Sequence, residues 1–380
     1  MNRVLHWSPV ALGLIFLLSL AYLQRDRIIN GQNDFVQLYA AAKLVGTPDL
    51  YSREAFDEVV KSSIGITMET VTRFVRPPFY GALLKPLAAF PYRRAYAIFS
   101  LASFSSILWF VIRFSKECPD LPFFAAMSIP LLTALCVGQD TPFLLAVLGI
   151  SMLLTRSSKH FSAGLILSLC AIKFHLFLFL PVLWLLKKRW RILGGAICGS
   201  IILTVFGMLS IGIASIPQYL NALRDSSINF SATVMPNLHG LVATLHGGLR
   251  LEFFLVAVVF MAFGLLTQKT NNYELLFAAS LVCGLLVSFH SGIYDDVVLL
   301  PVFVLVTGSC DNVSIRSWLA LILTPIPYFL NLADAPYSAV LPMSLLLLLG
   351  MLCTMQISSS RIAAETLQVG CGALDGDRQT

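Results

Sequence analysis

From Trp7 onward the chain runs as one apolar stretch after another, parted by short polar breaks, and this succession constrains the fold more than any single residue does. A spanning helix needs about 20 apolar residues, and stretches of roughly that length recur from end to end. Only 12% of the 380 residues are charged and 57% are hydrophobic, with a mean hydropathy of +0.81; soluble domains carry about 25% charged residues. The expectation is an all-α polytopic transmembrane bundle, one membrane domain over residues 1–357 followed by a polar cytoplasmic tail over 358–380.

The first run, Trp7 to Leu23, has no small-x-small cleavage site before Gln24 and reads as an uncleaved span. Further spans are expected near Phe79–Phe90, Ala95–Ile112, Leu121–Val137, Pro142–Leu154, Phe161–Leu186 and Ile192–Ala214. Five more follow near Leu251–Thr267, Leu275–Phe289, Val297–Thr307, Trp318–Leu332 and Ala339–Met355, about twelve in all. The polar stretch Gln24–Pro78 is the longest loop. Helical spacing of Phe35, Leu38, Tyr39 and Ala42, and of Phe56, Val59 and Val60, predicts two short interfacial helices within it.

Basic residues in short loops stay in the cytoplasm. The cluster Lys187-Lys188-Arg189-Trp190-Arg191 sets that face. Counting spans back then puts the Gln24–Pro78 loop outside and the Pro91–Arg94 turn inside. The second long loop, residues 215–250, and the segment Ser291–Asp296 also fall outside. The scheme leaves Arg113, Lys116, Arg156 and Lys159 in outer loops, against the rule. The net charge of +6 reflects cytoplasmic loops, and no nucleic-acid partner is implied. The eight cysteines are scattered without metal-ligand spacing, so neither a metal nor a cofactor is expected.

Two charges stand out. Asp34 opens the first outer loop, where it is either the N-cap of a helix starting at Phe35 or a general base at the lipid–water boundary, with partial burial raising its pKa. Lys173 lies twelve and thirteen residues from the two ends of its expected span, too deep to snorkel to water. A cation there costs ~2.5–3.5 kcal/mol, so it holds a ligand phosphate or pairs with a buried aspartate. His175, two residues on, falls on a different face and reads as core. Asp140 and the pair Asp295-Asp296 sit at span ends, where carboxylates usually cap or meet solvent, although His290, Tyr294 and Asp295 crowd into one turn. Arg76, before Pro77-Pro78, is placed to meet a phosphate or an anionic lipid at headgroup level.

The order of motifs resembles the integral-membrane glycosyltransferases of family 87. Asp34-Phe35 leads to Tyr39-Ala40-Ala41 and Leu50-Tyr51, then to Pro77-Pro78-Phe79, Leu83–Leu87 and Phe90-Pro91. Gly138-Gln139, the helix from Ala163-Gly164 to Lys173 ending at Pro181, and Ser288-x-His290-x-x-x-Tyr294-Asp295 follow. The resemblance implies a GT-C fold whose site faces the extracytoplasmic side of the plasma membrane. It also implies a polyprenyl-phosphate-linked sugar donor, most often of mannose, and a lipid-linked or glycan acceptor. Asp34 matches the family's essential aspartate and His290 a histidine near the donor sugar. The chain departs from the pattern at Arg76 and in the doubled acid Asp295-Asp296.

The expected site therefore has Asp34 as catalytic base, Lys173, Arg76 and His290 on the donor and its phosphate, and Tyr39, Gln139, Tyr294 and Asp295 on substrate. The alternative from another class is a transporter or flippase of a lipid-linked or anionic substrate, with Lys173 and Asp140 lining its path. No inverted pair of broken helices supports it.

Overall fold

In the computed structural model the residues described are 2–30, 33–64, 73–224, 231–333 and 335–354, and among them every regular element is a helix. The tail expected over 358–380 lies outside them. Five helices are long and apolar enough to cross a membrane: Tyr92–Phe114, His160–Phe177, Trp190–Ile211, Leu249–Lys269 and Tyr337–Thr354. A sixth arises if Val313–Ile322 and Pro325–Asn331, bent by 52° at Thr324, count as one. The remaining expected spans are shorter or broken. Leu121–Val137, for example, divides into Leu121–Ala126 and Ile129–Val137, the second capped by Ser128, whose hydroxyl accepts from Leu131 N.

The helix ends gather at two levels. At one end Arg156 bonds Glu117 and Glu274, Arg113 bonds Glu117, Ser309 bonds Glu274, and Lys187 bonds Asn271. At the other end Tyr39 donates to the Phe90 carbonyl at 2.9 Å, and Asp34 N donates to the Val137 carbonyl at 2.9 Å. The Phe35 ring packs on Tyr92 and Phe99. Arg113 and Arg156 thus share the end that carries Lys187, not the opposite one, and the Pro91–Arg94 turn joins the Asp34 end. Both positions reverse the face assignment made by counting spans.

Two segments explain the reversal. Phe79–Phe90 does not traverse the bundle. It is a seven-residue helix, Pro78–Leu84, followed by 3-10 turns over Lys85–Ala89. At its start Phe79 lies under Gly207, near the Asp34-end terminus of Trp190–Ile211, and at its finish Phe90 accepts from Tyr39.

Phe161–Leu186, by contrast, goes up and comes back. Lys173 has non-helical angles, φ −129° and ψ 57°, which break the segment midway. Before the break, Gly195 presses on the Phe161 carbonyl and Gly199 on Ser168, so the first arm runs parallel to Trp190–Ile211. After it, Gly284 presses on the Leu176 carbonyl and Trp184 donates to the Tyr273 hydroxyl, so the second arm descends beside Tyr273–Val287. A Cβ at Gly164, Gly195 or Gly284 would strike facing backbone, and this close approach of small residues is how helices pack without a hydrophobic drive in lipid.

Both short helices expected in the first loop exist, Phe35–Leu44 and Arg53–Ile64. The first is sunk among other elements rather than laid on a surface: eight of its residues are buried.

Candidate functional site

The site forms where four loops and one broken helix meet. Asn33 fixes the entry of the first: its Oδ1 accepts from Phe35 N at 3.1 Å and its Nδ2 donates to the Cys136 carbonyl. That is the capping role open to Asp34 in the sequence. The Asp34 side chain caps nothing and stays partly exposed.

Opposite it, the Ile129–Val137 helix ends at Gly138, whose φ of +70° is left-handed. A Cβ there would also sit 2.8 Å from the Phe35 Cβ, so both conformation and space require glycine. The turn delivers Gln139 and Asp140 side by side. Gln139 Nε2 donates to Asp34 Oδ2 at 2.5 Å, while its Oε1 accepts from Lys173 Nζ at 3.1 Å and from an Arg76 nitrogen at 3.4 Å. Two cations on one face fix which end of the amide is oxygen, and they polarise the N–H that reaches Asp34.

Asp140 is fully buried and pairs with Arg76 Nε at 2.7 Å and with Lys173 at 3.3 Å. Burial pushes its carboxyl up, but Arg76 and Lys173 outweigh that and hold it at about 2. The solvated or capping place expected of Asp140 is therefore corrected: it is the counter-ion of both cations. Arg76 reaches it because Tyr51 donates to the Arg76 carbonyl at 2.8 Å.

Lys173 uses all three N–H groups, on Asp295 Oδ1 at 2.6 Å, Gln139 and Thr141, and sits 4.6 Å over the Tyr294 ring. Of the two roles the sequence leaves open, the observed contacts are those with buried aspartates. Asp295 is likewise engaged: Oδ1 accepts from Thr141, and Oδ2 from Gly292 N at 3.0 Å. Asp296 points elsewhere. Neither of its oxygens has a hydrogen-bond partner among the described residues, and burial, with Asp295 adding, raises its carboxyl well above the usual range.

His290 stands beside this network. It lines a cavity of about 40 Å³ with Arg76, His175, Tyr219 and Phe289. Burial holds its imidazole at about 4, against the pull of Asp295 and with the push of Arg76 and Lys173, so it is neutral at pH 7. The turn carrying it is pinned by Asn237, which donates to the Ser288 carbonyl at 2.8 Å and to Ser291 Oγ at 2.9 Å. Tyr39 stands in the aromatic layer with Phe35 and Tyr92, its hydroxyl taken by Phe90.

Of the expected site residues, Asp34, Gln139, Arg76, Lys173 and Asp295 form one bonded network, with Tyr294 against it and His290 beside it across the cavity. Sequence reasoning missed Asp140 as counter-ion, Thr141 as a bridge, and Asn237. Asn237 is fully buried, and its place three residues before Gly240, whose N–H it caps, was the available signal. Burial lifts the Asp34 carboxyl above the usual carboxylate value, more than the Gln139 bond and the charges of Lys173 and Arg76 bring it down. The network thus offers a partly exposed carboxylate of raised basicity, linked through Gln139 to Arg76, which borders a cavity that Asp34 itself does not line.

Compared with protein-family models, residues 74–291 match that of glycosyltransferase family 87. No curated protein and no solved structure matches the chain.

Proposed function

The chain belongs to glycosyltransferase family 87 and is a membrane glycosyltransferase; from that premise we propose that it transfers a hexose, mannose in the simplest case, from a polyprenyl-phosphate-linked donor to a hydroxyl of a lipid-linked or glycan acceptor. Asp34 removes the proton from that hydroxyl. The oxygen forms its bond to the anomeric carbon on the face opposite the phosphate, the sugar–phosphate bond breaks, and its electron pair leaves on the polyprenyl phosphate, inverting the carbon. Arg76, which borders the cavity, carries the charge of the departing phosphate, and neutral His290 contacts the donor sugar. Lys173 acts as a positioning residue: by holding Gln139 and Asp295 it aims the base and the 288–296 turn.

The observation that supports this reading best is the Gln139 bond to Asp34. A carboxylate meant only to solvate a loop has no need of an amide held between two cations. Buried ion pairs of this kind contribute little net stability, which favours a role in chemistry over one in folding.

We further assign a GT-C-type architecture of twelve traverses, in which the two arms of 160–186 count separately and 79–90 not at all. Arg113, Lys116, Arg156, Lys159 and the Lys187–Arg191 cluster then lie at one end, in short connections. The positive-inside rule makes that end cytoplasmic, so Asp34 faces the extracytoplasmic side of the plasma membrane.

Purified protein supplied with radiolabelled polyprenyl-phosphate mannose and an extract of membrane lipids and glycans tests the reading. Label passing to a second lipid or glycan supports it. Label that crosses vesicle membranes while staying on its donor would establish a transporter instead.

A further inference from the structure

His175 is 7% exposed, and its Nε2 has no hydrogen-bond partner among the described residues. An unmet buried polar nitrogen costs about 1–3 kcal/mol, and native structures keep few of them without a reason. The position explains the reason. On an unbroken helix His175 would point about 200° away from Lys173, which is the different face expected from the sequence. The break at Lys173 turns the chain so that the lysine enters the ion network while His175 lines the cavity shared by Arg76 and His290. Its ring lies 5.3 Å from that of Phe289, 5.8 Å from Phe174 and 6.4 Å from His290.

Size and chemistry narrow the occupant. A water needs roughly 10–15 Å³ of such space, so a cavity of about 40 Å³ takes one small polar substituent, not a sugar ring. Aromatic walls suit the apolar C–H faces of such a group. The unmet atom is Nε2 alone, and a single imidazole nitrogen either donates or accepts according to its tautomer; a hydroxyl can answer either, whereas a phosphate oxygen would accept only. The charge for a phosphate is already supplied by Arg76.

We propose that His175 is a specificity-determining residue that hydrogen-bonds one exocyclic hydroxyl of the sugar being transferred, the cavity admitting that substituent alone. The proposal rests on the glycosyl-transfer reading of the same site. A site built to bond a hydroxyl discriminates against the analogue lacking it far more sharply than an apolar pocket rejects an added group.

The test compares wild type with His175→Phe, which keeps an aromatic ring without the bonds, and His175→Gln, which keeps a donor and an acceptor. kcat/KM is measured on the parent hexosyl polyprenyl phosphate and on its set of monodeoxy analogues. Wild type is expected to prefer the parent over one analogue by tenfold or more. In His175→Phe that ratio falls to within about twofold through loss on the parent alone, and His175→Gln restores part of it. An unchanged ratio in His175→Phe, or an equal loss on every donor, overturns the proposal. Binding of octyl hexoside and its monodeoxy forms to the detergent-solubilised protein reads the same ratio without any transfer. Selectivity there that disappears in His175→Phe supports the role of His175 even if the polyprenyl donor is wrong, and absence of selectivity in wild type overturns it.

Discussion

Gln139 holds the carboxylate of Asp34 through its Nε2 at 2.5 Å while its own oxygen rests between Lys173 and Arg76. The relationship joins residues 105 positions apart and makes the base dependent on cations that it does not touch with a hydrogen bond.

Asp34→Asn keeps the shape and the contact with Gln139 but removes the base. Transfer is expected to fall by about 10²–10⁴, with donor affinity within a few-fold of wild type by equilibrium binding. Turnover near the wild-type level would take Asp34 out of the mechanism.

The pH profile follows from the direction in which Asp34 is moved. Burial raises its pKa, and the base works only when ionised, so activity falls as pH drops through a value above the ordinary carboxylate one. Gln139→Leu removes a bond that lowers that pKa and should shift the acid limb of kcat/KM further toward neutrality. A limb that stays put in this variant contradicts the assignment.

Lys173 and Asp295 form a buried pair, 2% and 1% exposed. Lys173→Met leaves the acids uncompensated and should cost about 3–5 kcal/mol, seen as a lower Tm in detergent. Adding Asp295→Asn should return part of that loss while activity stays low. An additive further loss would mean that the two are not coupled.

Gly138→Ala meets two penalties, the left-handed backbone, about 1–2 kcal/mol, and the contact with Phe35. Gly138→Asn eases the first but not the second, so it should be intermediate in Tm and still impaired in kcat, because Gln139 is displaced. Equal stability of all three chains would remove the turn from the argument.

Single cysteines at Lys159 and Lys188 should react with an impermeant maleimide only from the cytosolic side, and those at Ser52 and Arg94 only from outside, above the background of native thiols. Reaction of Lys159 and Lys188 on opposite sides would undo the returning path of residues 160–186.

Much of this is legible in the amino-acid sequence. Apolar runs gave the helical class, and the two short helices of the first loop were readable from spacing at Phe35 and Phe56. Asp34, Lys173 and Arg76 stood out because charge in lipid is costly. What could not be read was the direction of travel: hydropathy is blind to whether 26 apolar residues cross once or turn midway, since the kink at Lys173 is a matter of two dihedral angles. That blindness misplaced Arg113 and Arg156. Asp140 looked like a span end because its partners, Arg76 and Lys173, come from 64 and 33 residues away in the chain.

The charged centre also has an order in time. Along the chain its members appear as Asp34, Arg76, Asp140, Lys173 and Asp295, strictly alternating in sign. Because a nascent polypeptide emerges from its amino end, each newcomer finds an opposite charge already laid down, and the growing assembly never carries more than one unbalanced unit. A circular rearrangement that kept every contact but began after Asp34 would deliver Asp34 directly after Asp295, two like charges in succession, and is expected to lower the yield of folded protein.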